Sequence, residues 1–288
     1  MTQTRGKRRT ALVLGAGGLV GGAWETGVLY GLADAGVDAA SADLIIGSSA
    51  GAVVAARLAA GKSSIAELYE GELDGSAPAE PPARLGALTI LRYAVAVLTS
   101  RTPEEYGRKL GRLALGAATV DEAARRATVG RRLDPVTRWP DRPLLISSVD
   151  ALNGELAAYD ADSGVPLVDA VTASCAIPGL WPPATLDGRR RIDGGVHSTA
   201  NAHLAAGYER VVVIAPNASG NNVVLSPARQ GAALAAAGAR VEVITPDRAS
   251  KQALGRNSLD PSHRAPAARA GRAQAAAHAP AVAALWAQ

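Results

Sequence analysis

The chain predicts one α/β domain with a largely parallel sheet covered on both faces and a helical insertion. Three observations carry that expectation. Residues 10–14 and 44–46 are short aliphatic runs, each halted by glycine, as buried strands are. A small-residue helical stretch follows each run: residues 20–35, closed by Gly36, and residues 50–60, closed by Gly61. Strand, helix, strand, helix at this spacing is the βαβ pattern, which builds parallel sheets between layers of helix. Finally, helical patterns take over residues 83–132 and interrupt the alternation before strands return.

The remaining elements follow in order. Residues 63–71 read as a further short helix, and residues 74–82 (DGSAPAEPP) as a loop. Within the insertion, residues 85–98 are almost continuously apolar and are expected to form a core helix. Residues 104–115 and 120–132 are more amphipathic helices. Strands are expected at 144–148, 155–159, 191–192, 211–215 and 240–245, with helices at 167–173 and 226–237. The tail from Pro261 is Ala-rich and helical in pattern as far as Trp286, and no internal repeat is present.

Composition excludes several classes. The 288 residues amount to one large domain or two small ones, at roughly 100–200 residues per domain. Apolar residues make up 48%, but 63 residues are Ala, so much of that content is methyl groups. With no Phe and 3% aromatics, a nucleic-acid binder built on stacked rings is not expected. The single Cys175 excludes an internal disulfide and a Cys-based zinc site, and the four His lack metal-ligand spacing. No metal or cofactor is therefore expected, and no apolar run reaches the ~18 residues of a membrane span.

The net charge of +4, with a pI near 9.4, hints at an anionic partner. It is unevenly placed. Arg5, Lys7, Arg8 and Arg9 make a basic segment over residues 1–9, and six Arg or Lys against two Asp make another over 247–272. Residues 10–246 hold 20 basic and 24 acidic groups, net −4. Lys7-Arg8-Arg9 before ALVLGAGGLVGGA imitates a secretory signal. Five glycines weaken that helix and no cleavage site precedes a polar start, so a cytoplasmic location is expected.

Three motifs carry chemistry. Gly47-Ser48-Ser49-Ala50-Gly51 is a G-x-S-x-G between an apolar strand and a small-residue helix, the setting of a nucleophile elbow. Glycine on both flanks removes Cβ clashes at the strained turn, and the helix that follows directs its positive end at developing negative charge. Ser49 is thus the expected nucleophile. Gly15-Ala16-Gly17-Gly18 ends the first strand and reads as an oxyanion loop. A dinucleotide fingerprint would need glycine where Val20 stands and an acid where the second strand ends in Gly47-Ser48-Ser49. For the base, none of His197, His203, His263 and His278 has an acid correctly placed before it, although His197 comes close. Asp193 in Arg191-Ile192-Asp193-Gly194-Gly195 is the alternative, with Gly194 and Gly195 permitting a sharp exit from a short strand.

Taken together these residues resemble the patatin-like phospholipases, lipolytic acyl hydrolases that use a Ser–Asp dyad. Four blocks match in order: GAGGLVGGAWETGVL from Gly15, the elbow from Gly47 to Ala52, ASCAIPGLWPP from Ala173, and Asp193-Gly194-Gly195. The likeness covers at least residues 10–215, within an expected domain of 10–288 that includes a basic Ala-rich segment at 247–288. It implies a three-layer α/β/α sandwich with Ser49 as nucleophile and Asp193 as base. Gly17 and Gly18 would donate N–H groups to the oxyanion, helped by Ala50, and ASCAIPGLWPP would shape the acyl site. Family members often carry Arg or Lys where Val20 stands, so a neutral ester or lysolipid is as credible a substrate as a diacyl phospholipid. On this view residues 85–98 acquire two alternative roles, lining an acyl channel or resting on a membrane. The basic ends are a further candidate contact with an anionic membrane. The competing reading is a non-hydrolytic lipid- or nucleotide-binding protein on the same scaffold. Oligomeric state is not legible.

Overall fold

The computed structural model describes residues 9–78, 80 and 83–287. Most of the basic N-terminal segment, Arg5, Lys7 and Arg8 included, lies outside the described residues. At its centre is an eight-stranded sheet. β1 (Thr10–Leu14), β2 (Leu44–Gly47), β3 (Leu144–Asp150), β7 (Arg210–Ile214) and β8 (Arg240–Ile244) run parallel in the order β3-β2-β1-β7-β8. β4 (Leu156–Tyr159), β5 (Ala184–Leu186) and β6 (Arg189–Asp193) add antiparallel pairings around β3. The sheet is therefore mixed, with its parallel part formed by the strands expected from the aliphatic runs.

Alternate residues of β1 face opposite layers, as the two-residue strand period demands. Leu12 and Leu14 pack into a core with α1 (Gly18–Asp34), α2 (Ala50–Ala60), α7 (Leu167–Ser174) and α10 (Arg264–Trp286). Ala11 and Val13 face a second layer with α8 (Pro227–Ala236) and a short 3₁₀ turn, Ala202–Ala205. This is the three-layer α/β/α sandwich. Between α2 and β3 come α3 (Ile65–Asp74), α4 (Ala87–Thr99), α5 (Pro103–Leu115) and α6 (Glu122–Leu133). Of these, α5 packs Tyr106, Leu110 and Ala114 against Val149 of β3 and Ile192 of β6. No helix among the described residues is long and apolar enough to cross a membrane.

One expectation needs correcting. The apolar stretch 85–98 is not a core helix: α4 buries Ala96 alone, while Leu88, Leu91 and Leu98 are 60%, 58% and 79% exposed. Hydropathy does not say whether a neighbour exists to cover a helix, and here none of the layers reaches its outer side. The basic segment 247–272 is folded into the domain, with two of its six cations in ion pairs among the described residues. It forms α9 (Arg248–Leu254) and the start of α10, with Arg264 paired to Glu72 at 2.7 Å and Arg272 to Asp34 at 2.6 Å.

One feature of register positions the site. Ile146 of β3 pairs with Gly47 of β2 on one side and Tyr159 of β4 on the other. Two residues on, Ser148 pairs with Ala157 of β4 and with Asp193 of β6. Since β4 occupies the same edge of β3 throughout, β2 and β6 must share the opposite edge. β2 is only four residues long against seven in β3, and β6 fills the vacated length from the other direction. The C-terminal ends of β2 and β6 thus meet head-on.

Candidate active site

Where those two strands meet, each turns sharply away. Ser49 leaves β2 at φ 54°, ψ −120°, a strained left-handed conformation for a residue with a side chain. The sequence permits the turn because its neighbours are small. A Cβ on Gly47 would stand 2.6 Å from the Ala52 Cα, and one on Gly51 would collide with the Leu14 carbonyl of β1. Ser49 also occupies the N-cap of α2, where serine ordinarily caps with its hydroxyl. Here it makes no capping bond: Oγ donates instead to Asp193 Oδ2 at 2.7 Å.

Asp193 ends β6 and is oriented on both oxygens. Its Oδ1 accepts the Gly195 N–H at 2.7 Å, and its own N–H donates to the Ala176 carbonyl at 3.0 Å. A Cβ at Gly194 would stand 2.6 Å from the Ser147 carbonyl, so this exit too is open only to glycine. Ser49 and Asp193 are both buried, at 5% and 6% exposure. Burial pushes the Asp193 carboxyl up to about 6, against the opposing pull of the Ser49 and Gly195 hydrogen bonds and the Arg125 charge. Such a carboxylate is a stronger base than an exposed one yet still largely ionised at neutral pH.

Residues of the ASCAIPGLWPP block, and Asn201, which no sequence motif marks, hold the elbow in place. Ser174, ending α7, accepts the Ser49 N–H at 2.8 Å, and Cys175 donates its thiol to the Ser49 carbonyl at 3.2 Å. Burial pushes that thiol up to about 12, which suits a hydrogen-bond donor and not a nucleophile. Asn201, fully buried and at φ 52°, directs its amide nitrogen to Ser48 Oγ (3.0 Å), Ser147 Oγ (3.2 Å) and the Gly194 carbonyl (3.0 Å). It ties the serine turn, β3 and the aspartate turn together. The one available signal was a lone amide in the small-residue run Ala200-Asn201-Ala202, since Asn tolerates left-handed backbone.

The glycine loop lies beside Ser49 and Asp193. Its Gly15 and Ala16 amides are spent on the Ile214 and Thr199 carbonyls, at 3.0 and 2.6 Å. Among the described residues the Gly17 and Gly18 amides take no protein partner, and Gly18, at φ 65°, opens α1. α1 and α2 therefore both begin at the site, with their positive ends toward it. Val20 is fully buried in the core, so no side chain from that position reaches the cleft. Behind the loop, Glu25 is wholly buried with neither carboxyl oxygen in a hydrogen bond among the described residues, and burial pushes its pKa well above the usual range.

Gly17, Gly18, Ser49 and Asp193 open into a cleft of about 570 Å³. Tyr93, Tyr106, Pro178 and Val196 give it an apolar side, while Thr199, Asn217, Ser258 and Arg256 are its polar members. None of the four histidines bonds to Ser49 or Asp193 among the described residues. His197 leans on His203 at 5.5 Å between ring centroids, His263 bonds the Ala253 carbonyl, and His278 bonds Glu242. Burial pushes His197 and His203 below their usual values.

Fold and site together define an α/β protein with an elbow serine hydrogen-bonded to a buried carboxylate. The chain matches the model of the patatin-like phospholipase family over residues 12–206 and belongs to that family, as the four sequence blocks implied. Among solved structures it is similar to VipD from Legionella pneumophila, with a TM-score of 0.50 at 15% identity, covering 96% of this chain and 67% of that one. The type III effector ExoU gives 0.45 at 15% identity, over 96% of this chain and 53% of that one. No curated protein matches.

Proposed function

We propose that the protein is a cytoplasmic lipid acyl hydrolase with Ser49 as nucleophile and Asp193 as general base. The observation that carries this reading is the 2.7 Å hydrogen bond from Ser49 Oγ to a buried, oriented carboxylate. Asp193 takes the Ser49 proton as Oγ bonds to the ester carbonyl carbon, and the carbonyl oxygen becomes an oxyanion. Gly17 and Gly18 are the proposed N–H donors to it, with the first amide of α2, Ala50, which takes no protein partner among the described residues, beside the nucleophile. Collapse breaks the ester C–O bond, and the leaving alkoxide takes the proton from Asp193. Water then attacks the acyl-enzyme, giving its proton to Asp193, which returns it to Ser49 as the acid leaves. The apolar side of the cleft suits the acyl chain.

A fluorophosphonate probe should label the wild type and not Ser49→Ala, and ester turnover should fall by about 10²–10⁴-fold in Asp193→Asn with the fold intact. Turnover that survives Asp193→Asn but not His197→Gln would overturn the dyad. Because the base must be ionised, kcat/KM should rise with pH through about 6 and then level. The same raised value acts oppositely on stability. The contribution is full below the ordinary aspartate pKa and is lost as pH rises through about 6, so Asp193→Asn should be at least as stable as wild type at neutral pH. A nucleotide-binding reading has no acid at the end of β2 to support it.

A further inference from the structure

The outward side of α4 is apolar, exposed and covered by nothing among the described residues. Leu88, Ile90, Leu91, Val95 and Leu98 are each between 49% and 79% exposed. They account for more than half of the large exposed apolar side chains among the described residues, so this is a patch and not the usual scatter. Leu88, Leu91, Val95 and Leu98 recur at three- and four-residue steps and therefore lie along one helix face. The opposite face is what attaches the helix: Tyr93 donates its hydroxyl to the Pro178 carbonyl at 3.0 Å and lines the cleft that holds Ser49. One helix thus walls the cleft on its inner side and shows a bare apolar side to the exterior.

Charge identifies the occupant. Leu91 and Val95 border a groove of about 480 Å³ between α4 and α5 whose charged members are Arg92, Lys109 and Arg112, with no carboxylate. Lys109 closes onto Thr99 at the end of α4, whereas Arg92 and Arg112 have no ion pair or hydrogen bond among the described residues. A symmetric contact with a second copy would bring these like charges together. An apolar face flanked by unpaired cations instead matches a bilayer with anionic headgroups.

We propose that the outer face of α4, with Arg92, Lys109 and Arg112 beside it, docks the protein on an anionic lipid surface and sets the cleft against it. The supply of lipid to Ser49 rests on the hydrolase reading; the docking itself does not. Binding is measured with Ser49→Ala protein, so that lipid is not consumed, on vesicles of phosphatidylcholine and phosphatidylglycerol in equal amounts and on pure phosphatidylcholine. The expected result is preference for the anionic vesicles, weakened by salt. Leu91→Asp/Leu98→Asp should reduce binding by about tenfold or more. Arg92→Gln/Arg112→Gln should reduce it by about fivefold per charge, on the anionic vesicles alone.

In the Ser49 background both double variants should hydrolyse a soluble short-chain ester at the wild-type rate, which also reports an intact fold. Vesicle binding unchanged by Leu91→Asp/Leu98→Asp overturns the proposal, as does a wild-type dimer that this variant splits while vesicles are ignored. If no ester is cleaved yet vesicle binding is lost in the variant, the docking surface stands and the hydrolase reading falls.

Discussion

Helix α4, ALTILRYAVAVLT, buries one of its thirteen residues, whereas α10, RAPAARAGRAQAAAHAPAVAALW, buries nine of twenty-three. Ranked by hydropathy their fates would be reversed. The difference lies in how closely a neighbour can approach. α10 lies on α1 with glycine meeting backbone from both sides: a Cβ at Gly31 would stand 2.5 Å from the Arg272 carbonyl, and one at Gly27 would collide with Ala268. Small residues let two helices make dense contact without long apolar side chains, and dense contact is what a core consists of. Two of the three arginines of α10 are paired across these contacts. Arg264 is 9% exposed and bonded to Glu72, and Arg272 bonds Asp34 while lying over Tyr30 at 4.9 Å. α4 has large apolar groups and no partner to match them.

The contrast is most directly broken by exchanging size for polarity. Gly271→Leu places a branched side chain where even a Cβ would run into the Trp24 carbonyl, and Trp24 is itself fully buried. It should destabilise the protein by roughly 3 kcal/mol or more, read as a steep fall in thermal midpoint or loss of folded protein. Leu98→Asp, a more drastic change by hydropathy, should stay within about 0.5 kcal/mol of wild type. Equal losses in the two variants would mean that α4 is held in the core after all.

What the sequence shows well is chemistry confined to a few consecutive residues. The elbow at Gly47-Ser48-Ser49-Ala50-Gly51 and the turn at Asp193-Gly194-Gly195 are legible because strain at one residue dictates small neighbours beside it. The Asp187-Gly188 pair, both at positive φ, is a two-residue hairpin signal that would have revealed β5, a strand otherwise too short to notice. The partners Ser147 and Asn201 are common residues whose contacts with Ser48 span 99 and 153 positions, and no local pattern marks them. The head-on meeting of β2 and β6 depends on which edge of β3 each strand takes, which only pairing decides. The exposure of α4 is not legible for the reason given above.

A smaller effect tests the close-packed side from within α1. Glu25 keeps an unpartnered carboxyl in the core, with its pKa raised by burial. Its contribution to stability is full below the ordinary glutamate value, about 4, and is lost as pH rises through the higher native value. Urea unfolding across pH should therefore show the wild type weakening toward alkaline pH more steeply than Glu25→Gln, which cannot ionise. Parallel curves would mean that Glu25 is ionised and satisfied in the folded protein.

The least disruptive variant separates the C-terminal cations from one another. Arg264 and Arg272 are consumed by internal pairs, so neutralising them tests packing. Arg256, between α9 and α10, is exposed, lines the cleft and has no hydrogen bond or ion pair among the described residues. With Val20 buried, Arg256 is the cation best placed to meet an anionic headgroup once an ester carbonyl lies near Ser49. Arg256→Gln should then raise KM for an anionic phospholipid by about five- to tenfold, the scale of one charge-assisted hydrogen bond, with kcat unchanged. A neutral short-chain ester should show no change in either constant. An equal rise for both substrates would assign Arg256 to the shape of the cleft, whereas no rise for either would leave the headgroup outside it. The selective result would make the C-terminal region a packing element that contributes one charge to substrate choice, complementary to the membrane-facing role proposed for α4.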